Sequence, residues 1–191
     1  MAIKRLTLEQ KIIENIDSSL SRGCCSAMEG RRIIGIDPGT NVLGYAVVEV
    51  EGGELRVLVF GVLSLAKYSD HYKKLSRIFS RLSSVVEAYH PDEMALEAPF
   101  FGKNVQSMLK LGRAQGVAMS VALSRGIDVF EYAPTRVKQS VAGQGGASKE
   151  QVAGILSHLF GVDTSDSQFD ATDALAVAVC HYFTQSRKIL L

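Results

Sequence analysis

The sequence predicts an α/β domain, a mixed sheet flanked by helices. Near residue 50, two apolar, β-branched segments are joined by a Gly-Gly pair, which is typical of a β-hairpin. Further along the chain, short apolar runs alternate with segments of helical periodicity. The length of 191 residues and the apolar content of 47% suffice for one domain with a substantial core.

The first three predicted strands are consecutive. Residues 33–36 form a continuous apolar run that ends at Asp37, where a Pro-Gly pair turns the chain. Residues 44–50 and 55–63 are apolar and β-branched, and Gly52-Gly53 lies between them. We therefore expect three antiparallel strands in succession.

Helices and two further strands are predicted to follow. The predicted helices are residues 72–89, 105–123, 149–160 and 169–183. Short apolar runs at residues 94–96 and 127–132 predict the fourth and fifth strands. The expected sheet thus has five strands, with the three antiparallel strands followed by parallel ones.

The chain divides into three predicted parts. Residues 1–31 form an N-terminal extension, helical or disordered, in which apolar residues recur every four positions up to Leu20. A partner-binding helix is an alternative interpretation of this extension. Residues 32–185 form the folded domain, and residues 186–191 form a C-terminal tail.

Composition limits the partners and the compartment. The 21 Lys and Arg residues against 20 Asp and Glu give a net charge of +1, so any surface for nucleic acid must be local. Three cysteines without a CxxC spacing predict neither a disulfide framework nor a zinc site. No apolar run is long enough to span a membrane. We therefore expect a cytoplasmic protein without a membrane partner.

Four acidic residues stand at the ends of predicted elements. Asp37 and Glu97 each end a strand, and Asp170 and Asp173 share one face of the last helix because they are three residues apart. Ligand sites of open sheets lie outside the carboxyl ends of strands. Carboxylates are preferred by hard cations such as Mg²⁺, and two such ions can serve a phosphoryl displacement. The four acids therefore predict a divalent-metal site.

Each acid also has a structural interpretation. Asp170 or Asp173 could cap the last helix or complement its positive end. Asp37, before a Pro-Gly pair, could form an Asx turn. Glu97 is harder to explain in this way, because a Glu that continues an apolar strand is costly to bury without a partner or a metal ion. Together, the four acids favour a site.

The acids lie within four longer motifs in a fixed order. The motifs are Ile34-Gly35-Ile36-Asp37-Pro38-Gly39-Thr40 with Gly44-Tyr45-Ala46, then Glu97-Ala98-Pro99-Phe100-Phe101-Gly102-Lys103-Asn104 leading to Leu111-Gly112-Arg113-Ala114-Gln115-Gly116, then Tyr132-Ala133-Pro134 through Val137-Lys138-Gln139 to Gly143-Gln144-Gly145 and Lys149, and finally Asp170-Ala171-Thr172-Asp173-Ala174-Leu175-Ala176. In this combination and order they resemble the RuvC-type Holliday-junction resolvases. The resemblance covers about residues 32–185.

The resemblance implies an RNase H-like fold, a homodimer, and paired nicking of two like-polarity strands at a four-way DNA junction. It implies Mg²⁺ as the cofactor, replaceable by Mn²⁺, with two ions in each active site. The implied metal-binding catalytic acids are Asp37, Glu97, Asp170 and Asp173. The RuvA and RuvB branch-migration proteins are partners by resemblance only. A two-fold dimer also suits a symmetric junction, and the small-residue helix around Gly112 and Gly116 is the candidate contact.

Basic and aromatic residues near the acids are the predicted DNA contacts. Lys138 and Lys149 match basic positions of the family, where an ammonium group contacts phosphate or, as expected for Lys149, offsets charge during catalysis. Phe100 and Phe101 follow the catalytic Glu and can stack on unpaired bases. The alternatives are solvated surface groups for the lysines and core packing for the phenylalanines. The role of Arg113 stays open.

The motifs are also compatible with three rival functions. Residues 35–40 also resemble the phosphate loop of actin-like kinases, but this chain is too short for both of their domains. An RNA-processing nuclease of the YqgF type would share the fold and the acids, although the Phe100-Phe101 pair and the stretch from Lys138 to Lys149 favour the junction enzyme. A non-catalytic junction-binding module is disfavoured because no acid is missing.

Overall fold

The computed structural model describes residues 30–99, 104–162 and 169–188. The strands are β1 (Arg31–Asp37), β2 (Val42–Glu51), β3 (Glu54–Ser64), β4 (Glu93–Glu97) and β5 (Asp128–Tyr132). The helices are α1 (His71–Tyr89), α2 (Val105–Leu123), α3 (Pro134–Ala142), α4 (Lys149–Phe160) and α5 (Phe169–Lys188). The helix expected in the N-terminal extension, and the residues Phe100 and Phe101, lie outside the described ranges.

The strands form one mixed sheet in the order β3-β2-β1-β4-β5. β2 pairs antiparallel with both β1 and β3, whereas β4 pairs parallel with both β1 and β5. The predicted hairpin is present, because Gly52 and Gly53 adopt the positive φ angles of 58° and 82° that a tight turn between β2 and β3 requires. The five-stranded mixed sheet flanked by helices is therefore confirmed.

Two apolar layers cover the faces of the sheet. Alternate residues of β1 point to opposite faces, so Ile33 packs in the layer that contains residues of α3, α4 and α5. Ile34 and Ile36 pack in the opposite layer, with residues of α1 and α2 such as Leu82 and Val121. β1 is thus buried on both sides, which explains its continuous apolar run.

Helix α5 lies very close to the centre of the sheet. A Cβ atom on Gly35 of β1 would lie 2.2 Å from the carbonyl oxygen of Ala174 and 2.9 Å from the Cβ atom of Ala178. Both of these helix residues are fully buried alanines. Glycine on the strand and alanine on the helix therefore allow the two backbones to approach more closely than larger side chains would permit.

The structure adds one helix to the predicted elements and extends another. Helix α3 was not predicted from the sequence. Pro134 follows the predicted strand 127–132 and occupies the first turn of this helix, where its fixed φ angle is favourable. α5 continues to Lys188, beyond the predicted end at residue 183. The predicted start of α4 is confirmed, since Ser148 and Gln151 form a reciprocal capping box.

Within the described ranges, no helix combines the length and the apolar character needed to cross a membrane. The division of the chain at residues 31 and 185 stays a prediction, as does the cytoplasmic location.

Candidate active site

Two of the four acids end adjacent parallel strands. β1 and β4 are paired with Ile36 opposite Leu96, so the next residues, Asp37 and Glu97, leave the sheet side by side. Asp37 also lies opposite Gly44 of β2 in the antiparallel register. The predicted meeting of these two carboxylates at the carboxyl edge of the sheet is therefore present in the structure.

The start of α5 brings two further acids to the same edge. Gly44 makes this approach possible, because a Cβ atom there would lie 1.9 Å from the carbonyl oxygen of Asp170. Carboxylate oxygens of Asp37, Asp170 and Asp173 consequently lie within 4.8 Å of one another. Three carboxylates at this spacing, without a nitrogen or sulfur ligand, suit a hard divalent cation such as Mg²⁺.

Glu97 lines the same cleft but is not part of this three-acid cluster. The cleft is lined by Asp37, Glu97, Pro134, Val137, Lys138, Lys149, Val152, Asp173 and Ala176. The four acids are thus arranged as three carboxylates within reach of one ion and a fourth carboxylate beside them. Such an arrangement can hold a second ion or a metal-bound water next to the first.

The two predicted lysines also face the cleft. Lys149 begins α4, and its ammonium group forms an ion pair and hydrogen bond with the carboxylate of Asp173. Lys138 comes from α3, the helix that the sequence prediction missed. Both cations therefore lie where a phosphate that enters the cleft would be close to the acids.

Burial and the charges of neighbouring acids raise the pKa of two carboxylates in the cleft, Asp37 and Glu97. Burial raises the pKa of Asp37 to about 7, and the negative charges of Glu97 and Asp173 contribute to this increase. The pKa of Glu97 is raised by burial and by the charge of Asp173. A bound cation would relieve both effects, because it stabilises the ionised carboxylates.

Lys149 is the cation that partly balances these acids. Burial opposes its charge, but the hydrogen bond to Asp173 and the charges of Asp173 and Asp37 outweigh this effect and raise the pKa of Lys149. Lys149 is therefore positively charged at neutral pH. It can offer its charge to an anionic substrate as well as to Asp173.

Two further residues of the motifs, Gly44 and Gln115, position the site, although the sequence predicted no role for them. Gly44 lets Asp170 approach β1 and β2, and the signal was a glycine inside an otherwise apolar, β-branched strand. Gln115 is 3% exposed, and its amide nitrogen donates a hydrogen bond of 2.9 Å to the carbonyl oxygen of Glu97. The feature of the sequence that could have indicated this role is a single amide side chain among small apolar residues, since Gln115 lies between the buried residues Ala114 and Ala118.

Asp170, Arg113 and the Phe100-Phe101 pair are the remaining predicted positions. Asp170 lies inside the first turn of α5, so the alternative of Asp170 as the N-cap is wrong. Arg113 is exposed on α2 and does not line the cleft. The predicted base-stacking residues Phe100 and Phe101 fall outside the described ranges.

Comparisons with known proteins identify the family to which the chain is similar. A sequence model described as "Crossover junction endodeoxyribonuclease RuvC" matches residues 33–181. A protein of that name from Cytophaga hutchinsonii is 60% identical over 153 residues, which are 80% of this chain and 76% of the relative. Another from Porphyromonas gingivalis is 54% identical over 158 residues, 82% of this chain and 84% of the relative.

Solved structures agree with these matches. The structure described as "T. thermophilus RuvC in complex with Holliday junction substrate" aligns with a TM-score of 0.73 and 29% identity, and it covers 82% of this chain and 96% of that one. The yeast mitochondrial Holliday junction resolvase Ydc2 aligns with a TM-score of 0.63 over 97% of this chain and 90% of its own. At 13% identity, that match supports the fold alone. The RNase H-like fold implied by the motifs is confirmed.

Proposed function

Because the chain belongs to the RuvC family of crossover junction endodeoxyribonucleases, we propose that it resolves four-way DNA junctions by paired, symmetric nicks in recombination and repair. The observation that carries the proposal is the cluster of Asp37, Asp170 and Asp173 beside Glu97 in one cleft. This acid set suits metal-dependent hydrolysis of a phosphodiester bond. The family match favours this function over the kinase, RNA-processing and non-catalytic alternatives.

The metal site is proposed to take Mg²⁺, with Mn²⁺ as a substitute and two ions in each active site. Asp37, Asp170 and Asp173 would hold one ion, and Glu97 with Asp37 would hold the second. When bound, such ions supply activation of the attacking water and stabilisation of the leaving oxygen. The carboxylates of Asp37 and Glu97 would fix the positions of the bound ions, because both residues are held by adjacent strands.

The lysines are proposed to bind the scissile phosphate and to offset its charge. Lys149 is already held near the acid cluster through Asp173, so its ammonium group is positioned before the substrate arrives. Lys138 lies on the same cleft and would contact a neighbouring phosphate. These contacts carry no sequence information. Selectivity for a junction is assigned to Phe100 and Phe101, proposed to stack on unpaired bases at its centre.

A cleavage assay tests this function. Purified protein with Mg²⁺ is expected to nick a synthetic four-way junction at symmetric positions and to leave ends that DNA ligase can seal. A linear duplex of the same sequence and a matched single-stranded RNA should be largely spared. Cutting of the duplex as fast as the junction, or cutting of the RNA in preference to both, would contradict the proposal.

Metal affinity is expected to depend on pH. The pKa of Asp37 is raised to about 7 by burial and neighbouring acids, so a proton competes with the metal ion below that pH. Affinity for Mg²⁺ or Mn²⁺ should therefore fall by about tenfold for each unit of pH below 7 and change little above pH 8. Isothermal titration calorimetry between pH 5.5 and 8.5 measures this. Affinity that stays constant over the whole range would refute the role given to Asp37.

We propose that a homodimer forms through the exposed face of α2. Val105 is 67% exposed and Leu109 is 51% exposed, and both lie on one face of the helix with Gly112 and Gly116. Cβ atoms built on the two glycines would meet nothing within 4 Å in the described structure. An apolar face with small residues allows a second helix to pack closely. Two-fold symmetry would present two active sites to the two strands to be cut.

Leu109→Glu is expected to convert the dimer to a monomer, because it buries a charge in the proposed contact. Light scattering after size-exclusion chromatography measures the mass. The matched control is Val62→Glu, which places the same charge on an exposed apolar residue of the edge strand β3. A wild-type monomer, or a dimer that survives in Leu109→Glu, would rule out this interface.

RuvA and RuvB stay proposed partners on the basis of family resemblance.

A further inference from the structure

Helices α1 and α2 carry lysine and arginine residues, and no acid, in their N-terminal halves. Within the described structure, neither helix has an acidic residue in its first turn, and α2 has none along its whole length. Lys110 and Arg113 are exposed on α2. Because the whole chain has a net charge of only +1, this concentration of positive charge is a local feature.

Four of these basic side chains form one group, here called the basic cluster: His71, Lys74, Lys110 and Arg113. His71 is the first residue of α1. The positive charges of Arg113, Lys110 and Lys74 are close enough to affect the pKa of its imidazole ring. Burial, followed by those three charges, lowers the pKa of His71, while Asp70 acts in the opposite direction. No ion pair joins Lys74, Lys110 or Arg113 to an acid in the part of the chain that the structure describes.

The basic cluster lies at the same edge of the sheet as the acids. The ammonium group of Lys74 donates hydrogen bonds of 2.9 Å to the carbonyl oxygen of Thr40 and to the side-chain oxygen of Asn41, in the loop that follows Asp37. On α2, the buried Gln115 contacts the carbonyl oxygen of Glu97, so the turn of the helix that carries Arg113 lies level with the end of β4, although the exposed Arg113 side chain is on another face of the helix. Lys74 therefore lies next to the end of β1, and the turn of α2 that carries Arg113 is level with the end of β4.

The cluster is nevertheless on a different face from the cleft. α1 and α2 cover the layer that contains Ile34 and Ile36, whereas α3, α4 and α5 cover the opposite layer. The lysines of the cleft, Lys138 and Lys149, come from that opposite side. DNA whose backbone is cut in the cleft and that continues past the sheet edge would therefore pass over the basic cluster.

We infer that the basic cluster binds phosphates of one duplex arm of the junction, outside the catalytic cleft. This inference rests on the proposed function, because it takes a four-way junction as the ligand. Lysine and arginine side chains that have no ion-pair partner among the described residues suit the regularly spaced phosphates of a duplex and need no particular base sequence. Arg113, whose role the sequence left open, thereby becomes an arm-binding residue.

The test measures junction binding in EDTA, so that no strand is cut, by fluorescence anisotropy over a range of KCl concentrations. For Lys110→Gln/Arg113→Gln, the slope of log affinity against log salt should become shallower by about 2, since two phosphate contacts are lost. The single variants should each lose about 1. The matched control is Arg56→Gln/Arg125→Gln, which removes two cations that are paired with Glu49 and Glu87. Its slope should equal that of the wild type.

Two further measurements identify the arm as the ligand. On junctions with shortened arms, the difference between Lys110→Gln/Arg113→Gln and the wild type should disappear, because the phosphates that the cluster contacts are missing. In wild-type protein with ¹³C-labelled histidine, junction binding should raise the pKa of His71, because phosphates neutralise the surrounding positive charge. Light scattering of the double variant verifies that its oligomeric state is unchanged.

The outcomes separate this inference from the proposed function. If the wild-type protein neither binds nor cuts junctions, the proposed function fails. If it does both but the double variant has the wild-type salt slope and the pKa of His71 does not change, the inference fails, and an acidic protein surface becomes the partner to test. A difference that persists on shortened arms would place the contact at the junction centre and also overturn the inference.

Discussion

Replacing Asp37 with asparagine is expected to reduce junction cleavage on the order of a thousandfold while junction binding is retained. Asp37 belongs to the three-acid cluster and lies beside Glu97, so it would bind both proposed ions. Loss of metal-based charge stabilisation amounts to several kcal/mol in the transition state, which gives an effect of this size. Binding rests on phosphate and shape contacts made elsewhere. Single-turnover cleavage and a gel-shift assay measure the two properties.

Stability distinguishes this loss of function from misfolding. The pKa of Asp37 in the metal-free fold is raised from 3.8 to about 7, chiefly by burial. The folded chain then holds the proton more tightly than the unfolded chain, so the stability contributed by this group is present below pH 3.8 and is lost as the pH rises through about 7. Asp37→Asn removes that penalty. The metal-free variant should therefore melt at a higher temperature than the wild type at pH 8, with little difference at pH 4.

The control is Asp128→Asn, which changes an exposed acid at the start of β5, the strand end remote from the cleft. It should cut at the wild-type rate. Normal cleavage by Asp37→Asn would show that the acid cluster is not the catalytic site. A melting temperature of the Asp37→Asn variant below that of the wild type at pH 8 would show that burial of Asp37 is not a source of instability.

Much of the fold could be predicted because the strands have strong local signals. β1 is buried on both faces, so it appears in the sequence as a continuous apolar run, and the Gly-Gly hairpin fixes the antiparallel partner that follows β2. The register that places Asp37 beside Glu97 depends on pairing between β1 and β4, which are far apart in sequence. Only their shared position at strand ends suggested that they would meet.

Helix α3 was harder to predict because its start lacks a conventional signal. Ala133 is the N-cap residue and makes no side-chain capping bond, and Pro134 can equally end a strand or begin a helix. The consequence for the site is direct. Lys138 was proposed from the motif and lines the cleft in the structure, but the helix that places it there could not be derived from local patterning.

The distances between the carboxylates of the site could not be predicted from the sequence either. The i, i+3 spacing puts Asp170 and Asp173 on one helical face, yet their approach to Asp37 depends on how closely α5 packs against the sheet. That packing is set by Gly35 and Gly44, where backbone atoms of α5 occupy the space of a side chain. A glycine in a strand indicates a close approach, but it does not identify the partner.

Gly44→Ala is consequently expected to reduce cleavage about a hundredfold or more, although it alters no polar group. The new Cβ atom would lie 1.9 Å from the carbonyl oxygen of Asp170 and 2.6 Å from its carbonyl carbon, and both are backbone atoms that cannot rotate away. A normal carbon–oxygen contact is about 3.3 Å, so the first turn of α5 must retreat by more than about 1 Å. A displacement of that size in a catalytic group costs about a hundredfold in rate.

The free energy of unfolding should also fall, by about 1–3 kcal/mol, because the helix and the sheet are overpacked. Gly154→Ala is the control, since Gly154 lies within α4 and a Cβ atom there meets nothing within 4 Å. That change should leave cleavage intact and stabilise the protein by about 0.5–1 kcal/mol, because alanine is the better helix former. Circular dichroism melts and single-turnover cleavage measure both variants. Full activity in Gly44→Ala would mean that the metal site tolerates movement of α5, and that Asp170 does not bind the catalytic ion directly.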